Sequence, residues 1–439
     1  MLLGTQKINS KGHLEIGGCD TIDLASEYGT PLYVMDEALI RDNASKYVKS
    51  IKKAYGDAEV AYASKAFIVL AMCKLAKQEG LWLDVASAGE LYTAKKVDFP
   101  MDNVLFHGNF KSEFELEMAV DENVACVVCD SFSEIEKLNN IAKSKGKIQN
   151  VMIRCNPGVD PHTHSMISTG QEDSKFGFNI KSGKAMEAIK SIVSCENLKL
   201  VGLHSHLGSQ LLLVTPFEEA APLMANFFKT VTKETGVELE ILDLGGGLGV
   251  RYLEEHNPMP IEDFTKLVSD AVKNAFNAEN LKMPKLILEP GRSIVGEAGT
   301  TLYRVGTPKE VNIVEEPYKK YYLPVDGGLS DNPRPALYES EYSLMIANKV
   351  NKEKTHKYTV SGKHCETDKL FPDVMLQEAE CDDILAVQTT GAYNHAMASN
   401  YNRFTRPAVV FVKDGVSKVV YRRETLEDLL NCDIIPENL

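Results

Sequence analysis

The sequence predicts an α/β fold: a closed (β/α)8 TIM-like barrel joined to a C-terminal β-rich domain of sandwich or barrel form. Three observations predict it. Eight short apolar runs recur between positions 59 and 288, helix-patterned sequence separates them, and chemically capable polar residues gather at their C-terminal ends. Strands that alternate with helices argue for parallel βαβ units. Eight such units over about 250 residues match the size of a closed barrel.

The runs occupy residues 59–63, 81–85, 104–107, 125–129, 151–154, 200–204, 241–244 and 285–288. In a barrel of this kind catalytic groups stand at the C-terminal ends of the strands. Taken in order, those ends carry Lys65, Asp84, His107, Arg154, His206, the glycines 245 to 247, and Glu289 with Arg292. Beyond Arg292 the helical pattern thins out. Strand-like stretches at 300–305, 357–360 and 409–412 are separated there by Gly, Pro and Asp, which punctuate turns. The predicted barrel domain spans residues 30–294, and residues 1–29 and 295–439 make up the β-rich domain, with Leu14-Glu15-Ile16 as its first strand signal.

At 439 residues the chain exceeds one barrel by more than a hundred, which leaves room for that second domain. A hydrophobic share of 44% with 25% charged residues is ordinary for a globular protein. The net charge of −14 argues against nucleic acid or an anionic membrane as partner, since both need a positive face. The N-terminus has no basic start followed by an apolar core, and no apolar run reaches the roughly 18 residues of a membrane span. A cytoplasmic location is expected. The nine cysteines are odd in number and dispersed, so they are expected to be reduced. The lone C-x-x-C, Cys126 to Cys129, lies in an apolar run and reads as core packing rather than as a metal or redox site.

Lys65 follows the first run in a small-residue context, where loss of hydration would disfavour its charge and suit Schiff-base chemistry. The string Asp243-Leu244-Gly245-Gly246-Gly247-Leu248-Gly249 follows the seventh run. Consecutive glycines bring backbone N–H groups close to an anion, and barrels often hold phosphate in the loops after strands seven and eight. Glu289-Pro290-Gly291-Arg292 adds a carboxylate at the mouth and an arginine suited to phosphate or carboxylate. His204 and His206 could face one side of a strand and hold a metal. They could equally be one packed and one incidental histidine, or one could stack on a cofactor ring with Ser209 reaching its phosphate. No carboxylate-rich or histidine-rich partner strand is apparent, so no metal is assigned.

Eleven strings, in order, carry a resemblance: YASKA at 62, LDVASAGEL at 83, HGN at 107, RCNPGVDPHTH at 154, SKFGF at 174, HSHLGSQ at 204, DLGGGLG at 243, LEPGR at 288, DGG-x5-RPALY at 326, HCETDK at 364 and TGAYNHAMASNYN at 390. Over almost its whole length the chain resembles the fold type III pyridoxal-phosphate-dependent decarboxylases, and within them the branch that acts on diaminopimelate. Thr367 departs conservatively from the serine usual there.

The resemblance implies pyridoxal 5'-phosphate as cofactor and decarboxylation of meso-2,6-diaminopimelate to L-lysine, the last step of lysine biosynthesis. It implies that Lys65 joins the cofactor as a Schiff base, that His206 stacks on the ring, and that Glu289 pairs with the pyridine nitrogen. Ser209, Gly246, Gly247, Gly291, Arg292 and Tyr393 are implied to hold the phosphate, and Cys365 to be the acid that protonates the product carbon. A thiol can still donate near neutral pH, where a carboxylic acid is already ionised. For the substrate's distal end, Arg292, Arg334 and Tyr338 suit a carboxylate and Glu366 suits an ammonium group, with Tyr393 a further substrate-binding residue. The family also implies a homodimer whose sites are shared, with the β-rich domain completing them. The nearest alternative is another decarboxylase of this fold acting on a basic amino acid or carboxynorspermidine. A metal-dependent amidohydrolase would leave Lys65, Glu289 and Cys365 idle, and a non-catalytic regulatory relative would have lost them.

Overall fold

The computed structural model describes residues 1–159, 175–312 and 319–439. Residues 160–164 of the RCNPGVDPHTH string and residue 174 of SKFGF lie outside the described residues. The chain divides into two compact units: Arg41–Val250 with Asn257–Ile294, and Met1–Ile40 with Arg251–His256 and Val295–Leu439.

Among the described residues of the first unit, eight parallel strands close on themselves. They are Ala58–Ala63, Trp82–Val85, Val104–Phe106, Cys126–Cys129, Gln149–Asn156, Leu198–His204, Ile241–Asp243 and Lys285–Leu288, each paired with the next and the last with the first. The centre is filled by Ala61, Leu105, Cys126, Val128, Met152, Val201 and Ile287, all buried. Burial pushes the Cys126 and Cys129 thiols up, as suits packed apolar side chains. Three of the helices between the strands begin at serine caps. Ser87, Ser112 and Ser131 each accept a backbone N–H at a helix start, and Ser112 forms a full capping box with Glu115. At these three junctions a short serine-ended loop keeps the strand end close to the next helix.

The second unit holds a six-stranded sheet in the order Leu344–Ile346, Ile384–Gln388, Gly299–Arg304, Leu32–Asp36, Ala408–Lys413, Val416–Tyr421. A four-stranded sheet contains Lys309–Asn312, Lys319–Pro324, His356–Ser361 and Lys369–Leu376, and a small sheet contains Lys7–Ile8, Leu14–Ile16 and Cys19–Asp20. Leu14 and Ile16 are buried with Leu302, Ala386 and Val410 in one apolar cluster.

The boundary at residue 30 needs correction. Leu32–Asp36 pairs antiparallel with Gly299–Arg304 and parallel with Ala408–Lys413, so it belongs to the β-rich unit. All five of its residues are buried, and an apolar strand covered on both faces reads the same in a barrel as in an inner sheet position. Arg251–His256 also joins this unit: the Arg251 N–H donates to Glu297 at 2.7 Å and the Thr389 hydroxyl donates to the Arg251 carbonyl at 2.8 Å. Among the described residues, no helix is long and apolar enough to cross a membrane.

Candidate active site

The parallel register aligns the polar strand ends. His204 is level with both Arg154 and Asp243 on its neighbouring strands, and Asp84 is level with Ala63 on its own. The Glu289 N–H donates to the Gly245 carbonyl and the His107 N–H to the Val85 carbonyl, both at 2.8 Å, which fixes the turns just past the strands.

These ends converge on Glu289. His204 Nε2 lies 3.2 Å from its Oε2, and His107 Nε2 lies 2.7 Å from Oε1 but off the axis for an aligned hydrogen bond. The two imidazole rings meet edge to face with centroids 4.8 Å apart. Asp243 completes a buried group of four, whose nearest polar atoms all lie within 4.8 Å of one another. No single strand end is rich in histidine or carboxylate, yet one such group from each of four strand ends meets here. His107, His204 and Asp243 each appear in the quoted strings, but their meeting depends on which strands are neighbours at equal height.

The electrostatics of the group are uneven. Burial alone would raise the Glu289 carboxyl, but His107 and His204 outweigh it and hold the group well below its usual value. Asp243 is pushed well above its usual value by burial and by the Glu289 charge, which favours the negative charge on Glu289 over Asp243. Burial lowers His204 to about 4 against the pull of Glu289. Asp84 is raised by burial, with His107 opposing.

Lys65 stands in a short turn, Ser64–Ala66, with Nζ 3.9 Å from Asp84 Oδ2. The expected desolvated lysine is corrected, because the side chain is 49% exposed. The turn opens it outward while Ser64 and Ala66 on either side are buried. His206 lies two residues past the end of its strand, so strand alternation does not pair it with His204. Its Nδ1 accepts the Gly246 N–H at 3.3 Å, and burial holds the imidazole well below its usual value.

Glycine is required where the loops come together. A Cβ on Gly246 would lie 2.1 Å from the Glu289 carbonyl oxygen, and Gly247 has φ +137° in space closed by the Gly208 carbonyl. Gly291 packs against Ala63 and Ala66 on either side of Lys65. The buried Arg292 donates to the Ser209 hydroxyl from Nη2 at 3.0 Å and from Nε at 3.3 Å. Backbone donors, a hydroxyl and a guanidinium thus share one rim, a donor set that suits a phosphate.

The remaining predicted residues lie in the β-rich unit. Arg334 is buried and sits over the rings of Tyr338 and Tyr393, at 5.1 and 5.7 Å from their centroids. Burial pulls its pKa down, but Tyr252 and Tyr342 more than offset that, so it stays a cation. Tyr393 has φ +62°, a left-handed backbone uncommon for a bulky residue. Cys365 and Glu366 are exposed. Glu366 accepts the Tyr401 hydroxyl at 2.5 Å.

A family model described as "Pyridoxal-dependent decarboxylase, pyridoxal binding domain" matches residues 41–296. The chain is 48% identical over 436 residues to the diaminopimelate decarboxylase of Halalkalibacterium halodurans, covering 98% of this chain and 97% of that one. It is 45% identical over 434 residues to the Bacillus subtilis enzyme of the same name, covering 99% and 98%. The crystal structure of the M. jannaschii diaminopimelate decarboxylase in complex with L-lysine superposes with a TM-score of 0.91 at 37% identity, covering 100% of both chains.

Proposed function

The chain belongs to the pyridoxal-dependent decarboxylases, in their diaminopimelate decarboxylase branch, and from that premise we propose that it converts meso-2,6-diaminopimelate to L-lysine and CO2 with pyridoxal 5'-phosphate. The observation that carries the reading is Glu289. It is a buried carboxylate kept ionised by two imidazoles, at a barrel mouth whose adjoining loops are glycine and whose first strand ends in Lys65.

The residues fit that cofactor. Bound there, pyridoxal phosphate supplies a sink for the electron pair left when CO2 departs. The Lys65 amine anchors it, and Ser209, Gly246, Gly247, Gly291, Arg292 and Tyr393 offer the donors for its phosphate. Glu289 Oε1 has no aligned donor of its own, so it can take the N–H of a pyridinium, and its charge keeps that proton in place. His206, half-buried and with its imidazole held well below its usual value, offers a ring face without adding a second positive charge. The same four buried groups could in principle suit a divalent metal. Asp243, whose carboxyl is raised by burial and whose Oδ1 already accepts the Gly245 N–H at 2.8 Å, is a poor metal ligand, which favours the pyridinium reading.

Cys365 delivers the proton to the carbon that has lost its carboxylate. Arg292, Arg334, Tyr338 and Tyr393 hold the distal carboxylate and Glu366 the distal ammonium. A buried arginine that faces no carboxylate is left unpaired, which penalises substrates such as ornithine. We further place the protein in the cytoplasm as a homodimer, with Cys365 and Glu366 of one subunit serving the barrel of its partner. The test is the absorbance spectrum of purified protein followed by CO2 release from meso-diaminopimelate. A protein that stays colourless with added pyridoxal phosphate and releases no CO2 overturns the reading.

A further inference from the structure

The turn that carries Cys365 and Glu366 is more firmly built than the exposure of the two residues suggests. His364 and Asp368 flank it and are both buried. His364 Nδ1 lies 2.6 Å from Asp368 Oδ2, which also accepts the His364 N–H at 3.3 Å. The other oxygen, Oδ1, accepts the Leu329 N–H at 3.1 Å, so the turn is closed on itself and tied to the segment leading to Arg334. There is no slack around this pair: a Cβ on Gly362 would come within 2.0 Å of Asp368 Oδ2, and one on Gly328 within 2.3 Å.

A second segment closes over the first. Tyr401 lies flat against the His364 ring, with centroids 5.7 Å apart and planes 10° apart, and Phe404 meets the same ring edge-on at 5.0 Å. The Tyr401 hydroxyl donates to Glu366 Oε1 at 2.5 Å, and Asn402 Oδ1 accepts the Cys365 N–H at 3.2 Å. A buried imidazole–carboxylate pair thus holds the aromatic ring that holds the glutamate.

We propose that His364, Asp368 and Tyr401 are positioning residues: the first two fix the backbone of Cys365, and Tyr401 aims the Glu366 carboxylate. This rests on the reading above of Cys365 as the acid and Glu366 as the partner of the distal ammonium. A free glutamate in water samples many rotamers, and selecting one is a cost met on binding. A hydrogen bond already in place reduces that cost. In water such a bond adds little to stability, so its effect belongs in KM and not in Tm.

The experiment combines kinetics with peptide-resolved alkylation by iodoacetamide. In Tyr401→Phe, which keeps the ring and removes only the hydroxyl, KM for meso-diaminopimelate should rise about three- to tenfold with kcat within about twofold. The alkylation rate of Cys365 should not change. In Asp368→Ala the Cys365 rate should change by at least about threefold, and Asp368→Asn, which keeps an acceptor for the Leu329 N–H, should restore most of it. Exposed Cys381 and Cys432 are internal references in the same digest, and buried Cys73 and Cys126 report any unfolding. An unchanged KM in Tyr401→Phe, alongside a raised KM in Glu366→Gln, overturns the role of Tyr401. An unchanged Cys365 rate in Asp368→Ala overturns that of the buried pair. If Glu366→Gln itself leaves KM unchanged, the assignment of Glu366 fails, and the alkylation arm still decides the positioning of Cys365.

Discussion

The barrel groups and the β-rich groups solve the problem of preorganisation in opposite ways. Glu289 and its neighbours His107, His204 and Asp243 are all buried, and the charge states are set within the same unit by two imidazoles, an aspartate whose carboxyl is raised by burial, and a ring of glycine backbone. Cys365 and Glu366 stand in the open and are fixed only through the residues beside them. Electrostatic preorganisation needs water excluded, so the barrel can tune a cofactor's electronics unaided. The exposed pair supplies groups whose surroundings are completed when substrate and, in our proposal, a partner subunit arrive.

The largest expected effect is on the barrel side. Lys65→Ala should leave no measurable CO2 release and remove the cofactor's absorbance band, because it removes the covalent anchor. On the β-rich side Cys365→Ala should cost on the order of 10²–10⁴ in turnover, the usual share of a general acid, while the band persists. Loss of the band in Cys365→Ala would erase the division of labour between the two regions. Glu289→Gln should cost on the order of 10²–10³ in kcat, comparable with removing one preorganised electrostatic contact. A spectrum shifted from wild type would accompany it. A panel of meso-diaminopimelate, ornithine, arginine and lysine should show the first preferred by orders of magnitude. Comparable activity on ornithine would remove Arg334 from substrate recognition.

The smallest effects concern stability, where two buried groups, one in each region, should respond to pH with opposite sign. His204 in the barrel is lowered to about 4, below the usual value near 6.5. Its neutral form is the folded form, so the stability it contributes is complete above about pH 6.5 and is lost as pH falls towards 4. Asp331 in the β-rich unit is buried beneath Tyr303 and raised to about 7 by that burial. The folded state keeps a proton that the unfolded state releases above about pH 4, so this contribution is complete below that pH and is lost as pH rises to 7. Each is worth on the order of 3 kcal/mol at the far end of its window. The chain's one tryptophan, Trp82, lies in a barrel strand, so its emission reports the barrel's acid transition. His204→Gln should move that transition to lower pH. Denaturant unfolding of wild type should show a decline in stability between about pH 4 and 7 that Asp331→Asn lacks.

Much of this contrast is legible in the sequence. Each of the eight apolar runs overlaps a barrel strand, and the strings at their ends mark the glycine rim and Glu289, because local pattern and strand-end position are both one-dimensional signals. What escapes is pairing. Leu32–Asp36 falls inside the predicted barrel range, and only its partners, more than 250 residues away, assign it to the other unit. His107, His204 and Asp243 are visible singly, but their convergence on Glu289 depends on barrel register. The exposure of Lys65 is set by a single short turn that composition does not reveal. The Tyr401 contact with Glu366 joins segments 35 residues apart through a ring stack that no periodicity announces.

The central claim is that the barrel's lysine and the β-rich unit's thiol serve one reaction from different subunits. Mixing Lys65→Ala and Cys365→Ala proteins, each nearly inactive, under conditions that exchange subunits tests it directly. About half the dimers would then be mixed, each with one intact site of two, so CO2 release from meso-diaminopimelate should recover to roughly a quarter of wild type. Demonstrated subunit exchange with no recovery would contradict the account and place Cys365 in the service of its own chain or of no site at all.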